Sequence, residues 1–180
     1  ECEVFYVAFS SAEKSIPDGF DSNILIKEVK EATLSLGINP SNVIILNYEV
    51  REFPKFRQSI LEEMVRLNKE IQPALVLLPS SADTHQDHKT ILEEGFRAFK
   101  KATMLGYEIP WNNLIFQTSC FVYLEDEDLE KKIRALKCYR SQAQRSYANE
   151  NFVRSLAITR GVQIGAQYAE TFEVIRWIIR

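Results

Sequence analysis

An α/β fold with a mostly parallel sheet is predicted by the alternation of apolar runs and helical patterns along the chain. Short runs rich in β-branched and aromatic residues are each followed by a segment whose apolar residues recur at helical spacing. Strands joined through helices of this length pair in parallel, within a sheet that helices cover on both faces. The 180 residues suit one domain, and no repeat, linker or low-complexity segment divides them.

The elements follow one another in a regular order. The predicted strands are Glu3–Phe9, Asn42–Leu46, Ala74–Leu78, Leu114–Phe116 and Phe121–Leu124. The predicted helices run over about Asn23–Leu36, Pro54–Glu70, Asp87–Leu105, Leu129–Tyr139 and Asn151–Tyr168. Ser22 is the expected N-cap of the first helix and Gly37 its C-terminal stop, while Pro54 suits a first helical turn. Gly161 and Gly165 are candidate interruptions of the last helix.

Composition and charge exclude several functional classes. The chain is 46% hydrophobic and 26% charged, as expected for a globular domain. Its net charge of −3, with scattered Lys and Arg, provides no basic surface for nucleic acid. No apolar run is long enough to span a membrane and no signal peptide is visible. The far-separated residues Cys2, Cys120 and Cys138 are expected to be reduced thiols, so we expect a cytoplasmic protein.

The most informative segment is Asp83-Thr84-His85-Gln86-Asp87-His88, which holds both histidines of the chain. It follows the third predicted strand, at the carboxyl end where open α/β sheets bind ligands. Residues i and i+3 share a helix face, so both imidazoles are expected to project into one crevice. Imidazole binds divalent metals and titrates near neutrality. The pattern therefore predicts a metal-assisted hydrolase site.

Such a site needs a metal ligand, a general base and a group that stabilises the oxyanion. Zinc acidifies a water, a carboxylate takes the proton, and a protonated imidazole donates to the oxyanion. His85 and His88 are candidates for the ligand and oxyanion roles, and Asp87 is a candidate for orienting an imidazole. Structural alternatives also exist: Asp83 or Thr84 as a helix N-cap, and Asp87 as a complement to the helix dipole.

The motif and several distant segments resemble the PIG-L/LmbE-like family of metal-dependent deacetylases. Pro79-x3-Asp83-x-His85-x-Asp87-His88 resembles the second signature of that family, with Gln86 at a position that is usually proline. Further similar segments are Ala32–Ile38 with Val43–Leu46, Ile71–Pro73, Ala135–Gln142 and Arg160–Phe172. The resemblance implies a Rossmann-like three-layer sandwich. It also implies hydrolysis of an N-acetyl group, a linear amide, on an N-acetylglucosamine-type sugar or glycoconjugate, with zinc or another divalent metal.

The resemblance assigns roles to the motif residues. His88 is then a metal ligand, and His85 stabilises the oxyanion or acts as the general acid with support from Asp87. Asp83 either contacts substrate or shapes the loop.

The first signature of the family, A-H-P-D-D-E, which supplies the other metal ligands and the general base, is not present. In one explanation Glu3–Phe9 corresponds to the second strand of the family. The first, central strand then lies outside this chain together with its motif and helix, a unit of roughly 30 residues. In the other, Ala8–Glu13 is a degenerate signature that has lost its ligands and base. We favour the first, because the stretch from Phe9 to Gly37 has room for one helix only.

Under the favoured explanation, residues 1–180 form one deacetylase-like domain that is incomplete at its N-terminal end. The remaining ligands are then expected upstream of Glu1, and the sheet is expected to have an unpaired gap. The competing function is a catalytically inactive relative that serves as a binding or interaction domain. An AHPDDE-like motif before Glu1 favours the enzyme, whereas a native start near Glu1 favours the inactive relative.

Several residues outside the motif have weaker expectations. The apolar stretch Val174–Ile179 is a candidate surface for homo-oligomer formation. Trp111 and Trp177 are expected to be packing or interface residues rather than stacking platforms. Three further residues are expected to be structural, with lining of the site as the alternative: Tyr139, Ser141 and Gln142.

Overall fold

The computed structural model of the protein describes residues 2–179 and confirms the predicted α/β class. The strands are β1 (Tyr6–Ala8), β2 (Val43–Ile45), β3 (Leu75–Pro79), β4 (Thr103–Tyr107), β5 (Cys120–Tyr123) and β6 (Ala169–Arg176). The α-helices are α1 (Ile24–Ser35), α2 (Arg57–Ile71), α3 (Gln86–Ala98), α4 (Asp126–Lys137) and α5 (Glu150–Val162). Within residues 2–179, no helix has the length and apolar character needed to cross a membrane.

The described residues form two compact units, each built from separate stretches of the chain. Unit 1 contains residues 2–50 and Tyr123–Glu170. Unit 2 contains Arg51–Val122 and residues 171–179. The single domain expected over residues 1–180 stays a prediction.

Unit 1 is built on a parallel pair of short strands. β1 and β2 pair in parallel, with Tyr6 opposite Val43, and α1 connects them. Gly37 has a φ of 83° and Ile38 N donates to Thr33 O at 3.0 Å, so a left-handed residue ends the helix as predicted. One buried cluster of the unit lies between α4 and α5 and contains Leu129, Ile133, Val153 and Ala157.

Unit 2 contains most of the second sheet, in which the strand order is β3-β4-β6-β5. β3 and β4 pair in parallel from Leu75 opposite Thr103 to Pro79 opposite Tyr107. β6 is antiparallel to β4. The apolar face of α2, which includes Ile60 and Met64, is buried. α2 packs against α3, and α3 packs against β3.

One edge of β1 and one edge of β3 lack a neighbouring strand among residues 2–179. β1 pairs with β2 alone, and β3 pairs with β4 alone. On β3, Leu75 and Leu77 are each 51% exposed, although Leu78 is buried. Open strand edges are normally covered or blunted, so each edge can accept a further strand.

The predicted helix Asp87–Leu105 is wrong beyond Ala98. The helix ends there, and Thr103–Tyr107 forms the buried strand β4 instead. Met104 and Leu105 favour helices by intrinsic propensity. Their pairing with β3 and their burial, at 0% and 5% exposed, outweigh that propensity.

Two other element predictions fail in the C-terminal half. Leu114–Phe116 is a loop and not a strand. The predicted helix Asn151–Tyr168 stops at Val162, next to the expected interruption at Gly161, and Gly165 has a left-handed φ of 70°. The strand Ala169–Arg176 that follows was not predicted. That strand alternates between buried and half-buried residues over its first part, which is the period of a strand with one covered face.

Candidate active site

The motif lies in unit 2 where β3 ends and α3 begins. The chain leaves β3 at Pro79, and α3 starts at Gln86 with His85 as its N-cap. Nδ1 of His85 accepts a hydrogen bond from the backbone N–H of Asp87 at 3.2 Å. The N-cap is therefore His85, and the alternative that Asp83 or Thr84 takes this position is wrong.

Asp83 is buried at the centre of the motif. Its Oδ2 lies 2.7 Å from Nδ1 of His88, and its Oδ1 accepts from the backbone N–H of His85 at 2.8 Å. The Asp83 side chain is 1% exposed, whereas that of His88 is 31% exposed. Both carboxylate oxygens are thus used inside the motif, so this geometry favours shaping the loop and orienting His88 over the expected contact with substrate.

The contact with Asp83 determines which nitrogen of His88 is available. An ionised carboxylate only accepts hydrogen bonds, so the ring proton lies on Nδ1 and the lone pair on Nε2. A carboxylate bonded to the far nitrogen is the usual support for a metal-binding imidazole. His88 therefore fits the role of one metal ligand. Within residues 2–179, no group of three or more His, Cys, Asp and Glu side chains could hold a metal ion.

His85 stacks against His88, with ring centroids 4.6 Å apart and an angle of 26° between the planes. Because its Nδ1 accepts from a backbone N–H, the proton of a neutral ring lies on Nε2. The Nε2–H group is a hydrogen-bond donor suited to an oxyanion. The structure thus brings the two imidazoles together with complementary functions: a lone pair on His88 and an N–H on His85.

The Asp87 carboxylate contacts the backbone before α2, whereas it was expected to orient an imidazole of the motif. Its carboxylate accepts backbone hydrogen bonds from Arg51 at 2.5 Å and from Phe53 at 3.2 Å. Arg51 has a φ of 69°, a left-handed conformation that is uncommon for residues with a side chain. Asp87 therefore holds the start of α3 against the segment before α2. Its support of His85 in catalysis stays a prediction.

A second loop, which follows β4, closes on the motif. The carbonyl of Asn112 accepts from the backbone N–H and the hydroxyl of Thr84, at 3.2 and 3.0 Å. Asn113 Nδ2 donates to Ser80 Oγ at 2.6 Å, and Asn112 Nδ2 lies 3.4 Å from Nδ1 of His88. This loop was not predicted because β4 was not predicted. The turn-forming residues Pro110, Asn112 and Asn113 are the signal that could have revealed it.

A carboxylate on β6 holds the start of the motif loop. Glu173 is 8% exposed and accepts from the backbone N–H of Ser81 at 2.7 Å and also from the Ser81 hydroxyl. The contact joins residues 92 positions apart in the sequence. Glu173 is therefore a positioning residue for the loop, and it was missed because β6 was not predicted.

The residues expected to be structural make buried contacts within unit 1. Ser141 is fully buried, and its backbone N–H and hydroxyl donate to the two carboxylate oxygens of Glu28 at 2.8 and 2.6 Å. Tyr139 shares a side-chain hydrogen bond with Tyr6, and burial raises the pKa of Tyr139 above its ordinary value. These contacts support a structural role for this segment.

Solved structures share this fold along nearly the whole chain. N,N'-diacetylchitobiose deacetylase from Pyrococcus horikoshii is 21% identical, with a TM-score of 0.75 over 96% of this chain and 73% of that one. The A40926 pseudoaglycone deacetylase Dbv21 is 18% identical, with a TM-score of 0.71 over 93% and 77%. GalB, the 4-carboxy-2-hydroxymuconate hydratase from Pseudomonas putida KT2440, is 15% identical, with a TM-score of 0.69 over 97% and 84%. At these identities the likeness shows the fold alone.

Sequence comparison identifies the family. No curated protein sequence matches the chain. The profile of the PIG-L family, described as GlcNAc-PI de-N-acetylase, matches residues 1–99 and includes the histidine motif. Because this match covers more than half of the 180 residues, the chain belongs to the PIG-L family.

Proposed function

We propose that the protein contributes to a zinc-dependent N-deacetylase that acts on an N-acetylglucosamine-type sugar or glycoconjugate. The observation that carries the proposal is the stacked histidine pair, in which Asp83 leaves Nε2 of His88 free to bind a metal. Membership of the PIG-L family and the deacetylases among the structural neighbours support the same reaction class.

Three motif residues, Asp83, His85 and His88, have a part in the proposed reaction. A bound zinc ion supplies Lewis acidity and a water of lowered pKa, and His88 is the residue here that would hold it. In the hydrolysis, water adds to the amide carbon, the C–N bond breaks, and acetate and a free amine are released. The Nε2–H of His85 donates to the carbonyl oxygen as negative charge develops on it. Asp83 keeps His88 in the metal-binding tautomer.

The general base and the other metal ligands belong, in this proposal, to a strand outside residues 1–180. The open edges of β1 and β3 are positions where such a strand can pair. The structural neighbours are also longer, since this chain covers 73% and 77% of the two deacetylases. The alternative of an inactive binding domain would be favoured by a natural protein that has no AHPDDE-like signature upstream of Glu1.

The test is an assay of the natural full-length protein. Zinc content is measured by elemental analysis, and acetate release is followed with N-acetylglucosamine, its disaccharide and an alkyl glycoside as substrates. We expect bound zinc and stoichiometric release of acetate and free amine. A protein that binds zinc but releases no acetate from any of these sugars would contradict the proposed substrate class. A protein with neither zinc nor turnover would support the inactive relative.

A further inference from the structure

Three large apolar side chains project from the loop that closes on the histidine motif. Trp111 is 68% exposed, Leu114 88% and Ile115 73%. We call these three residues the apolar rim. Single exposed apolar side chains are common on protein surfaces, but three highly exposed ones so close together in one loop favour an interaction site.

The apolar rim belongs to a loop with several fixed contacts. Ile109–Asn112 form a turn in which Asn112 N donates to Ile109 O at 2.9 Å, with Pro110 at the favoured second position. Asn113 Oδ1 accepts from Ile109 N at 2.7 Å, and Asn113 also bonds to Ser80. The backbone next to Trp111 is thus tied to the motif loop, and its exposed side chain is presented by an ordered turn.

The apolar rim lies next to the proposed reaction centre. Asn112, the neighbour of Trp111 in the chain, places Nδ2 at 3.4 Å from Nδ1 of His88. A substrate whose amide reaches His85 and His88 therefore comes close to this loop.

The chemistry of the loop indicates the kind of group that it contacts. Residues Ile109–Phe116 include no charged side chain, so these residues offer no cation that would pair with a phosphate or another anion. An indole and two branched aliphatic chains instead favour contact with uncharged apolar surface. We propose that the apolar rim binds the aglycone of the substrate, an uncharged alkyl or aryl group attached to the acetylated sugar. The proposal rests on the proposed deacetylase function.

The test measures binding, which does not require turnover. Full-length protein is titrated calorimetrically with N-acetylglucosamine and with its octyl β-glycoside. We expect the octyl glycoside to bind about tenfold more tightly or better, because the alkyl chain leaves water at the apolar rim. Trp111→Ala should remove most of this difference while the affinity for N-acetylglucosamine itself is unchanged. Leu114→Ser tests the same surface with a second substitution at a highly exposed position.

Trp177→Ala is the matched control. Trp177 is 59% exposed, so it is an exposed tryptophan like Trp111. It follows Arg176, which pairs with Met104 at the amino end of β4. The apolar rim instead follows the carboxyl end of β4. We expect this variant to keep the preference for the octyl glycoside. Equal affinity of the wild type for both ligands would overturn the proposal, as would equal losses in Trp111→Ala and Trp177→Ala. Preferential binding without acetate release would contradict the deacetylase function and leave the apolar rim assignment standing.

Discussion

Nδ1 of His88 lies 2.7 Å from Oδ2 of Asp83, so the two residues form a buried carboxylate–imidazole pair at the start of α3. The same carboxylate also accepts from the backbone of His85 at 2.8 Å. Asp83 therefore fixes both the tautomer of one imidazole and the backbone of the other.

Asp83→Asn should impair metal binding without unfolding the loop. The asparagine oxygen can keep the hydrogen bond from His85 N, which turns the NH₂ group towards Nδ1 of His88. Nδ1 then accepts, and the ring proton moves to Nε2, the nitrogen needed for the metal. We expect zinc affinity to fall by about 10–100-fold, the usual effect of losing such a partner. Competition with a chelator of known affinity measures the change in the full-length protein.

Asn112→Ala provides the control for that substitution. Its side chain also lies near Nδ1 of His88, at 3.4 Å, but the Asn112 carbonyl that anchors Thr84 is a backbone group and remains. We expect zinc affinity close to that of the wild type. If both variants lose zinc equally, the contact with Asp83 has no special part in orienting His88.

Glu28→Ala should destabilise unit 1. The substitution leaves the buried backbone N–H and hydroxyl of Ser141 without their acceptors, and such groups cost about 1–3 kcal/mol each. Ser141→Ala removes only the hydroxyl contact to the buried carboxylate, so its expected loss is smaller than that of Glu28→Ala, about 1.5–3 kcal/mol. Glu28→Gln preserves shape and one acceptor, and it should fall between the wild type and Glu28→Ala. Urea unfolding followed by circular dichroism ranks the variants, and equal stability of all would contradict the structural role.

Tyr139 should make the protein sensitive to alkaline pH. Burial, and then the neighbouring Tyr6, raise the pKa of Tyr139 in the folded protein. A tyrosine in the unfolded chain loses its proton at about pH 10, whereas Tyr139 in the folded protein keeps it. The unfolded state therefore binds fewer protons above this pH. The stabilisation is complete below about pH 10 and is lost as the pH rises through the range between the two pKa values.

Comparison of the wild type with Tyr139→Phe isolates this effect. Free energies of unfolding are measured from pH 8 to pH 11, and the slope above about pH 10 is compared. The phenylalanine variant has no ionisable group at this position, so its stability should fall less steeply. Identical slopes for the two proteins would show that Tyr139 does not titrate differently on folding.

Local signals were sufficient for much of the fold. The strands β1 to β3 and the helix α1 with its stop at Gly37 follow from local sequence signals, and the structure confirms them. The N-cap of α1 is Asn23, so the predicted N-cap Ser22 is wrong. β4 was missed because the helix-forming residues Met104 and Leu105 extend the pattern of α3. Only the pairing of β4 with β3, a tertiary contact, makes that segment a strand.

The candidate site shows the same division between local and long-range information. The placement of His85 and His88 on one helix start follows from their spacing. The partners of the motif do not, because Glu173 and Asn113 lie 92 and 33 positions away from the residues that they hold. The sequence also does not determine the role of Asp83, because a carboxylate at this position is compatible with binding substrate, capping a helix or orienting an imidazole ring.

The assignment of His88 as a metal ligand is tested most directly by the zinc stoichiometry of two variants. His88→Ala and His85→Ala are made in the full-length protein, and bound zinc per chain is measured by elemental analysis after dialysis. His88→Ala should lose most or all of the metal. His85→Ala should keep the wild-type stoichiometry, because the Nε2–H of His85 is assigned to the oxyanion and not to the metal. Unchanged zinc content in His88→Ala would contradict the account.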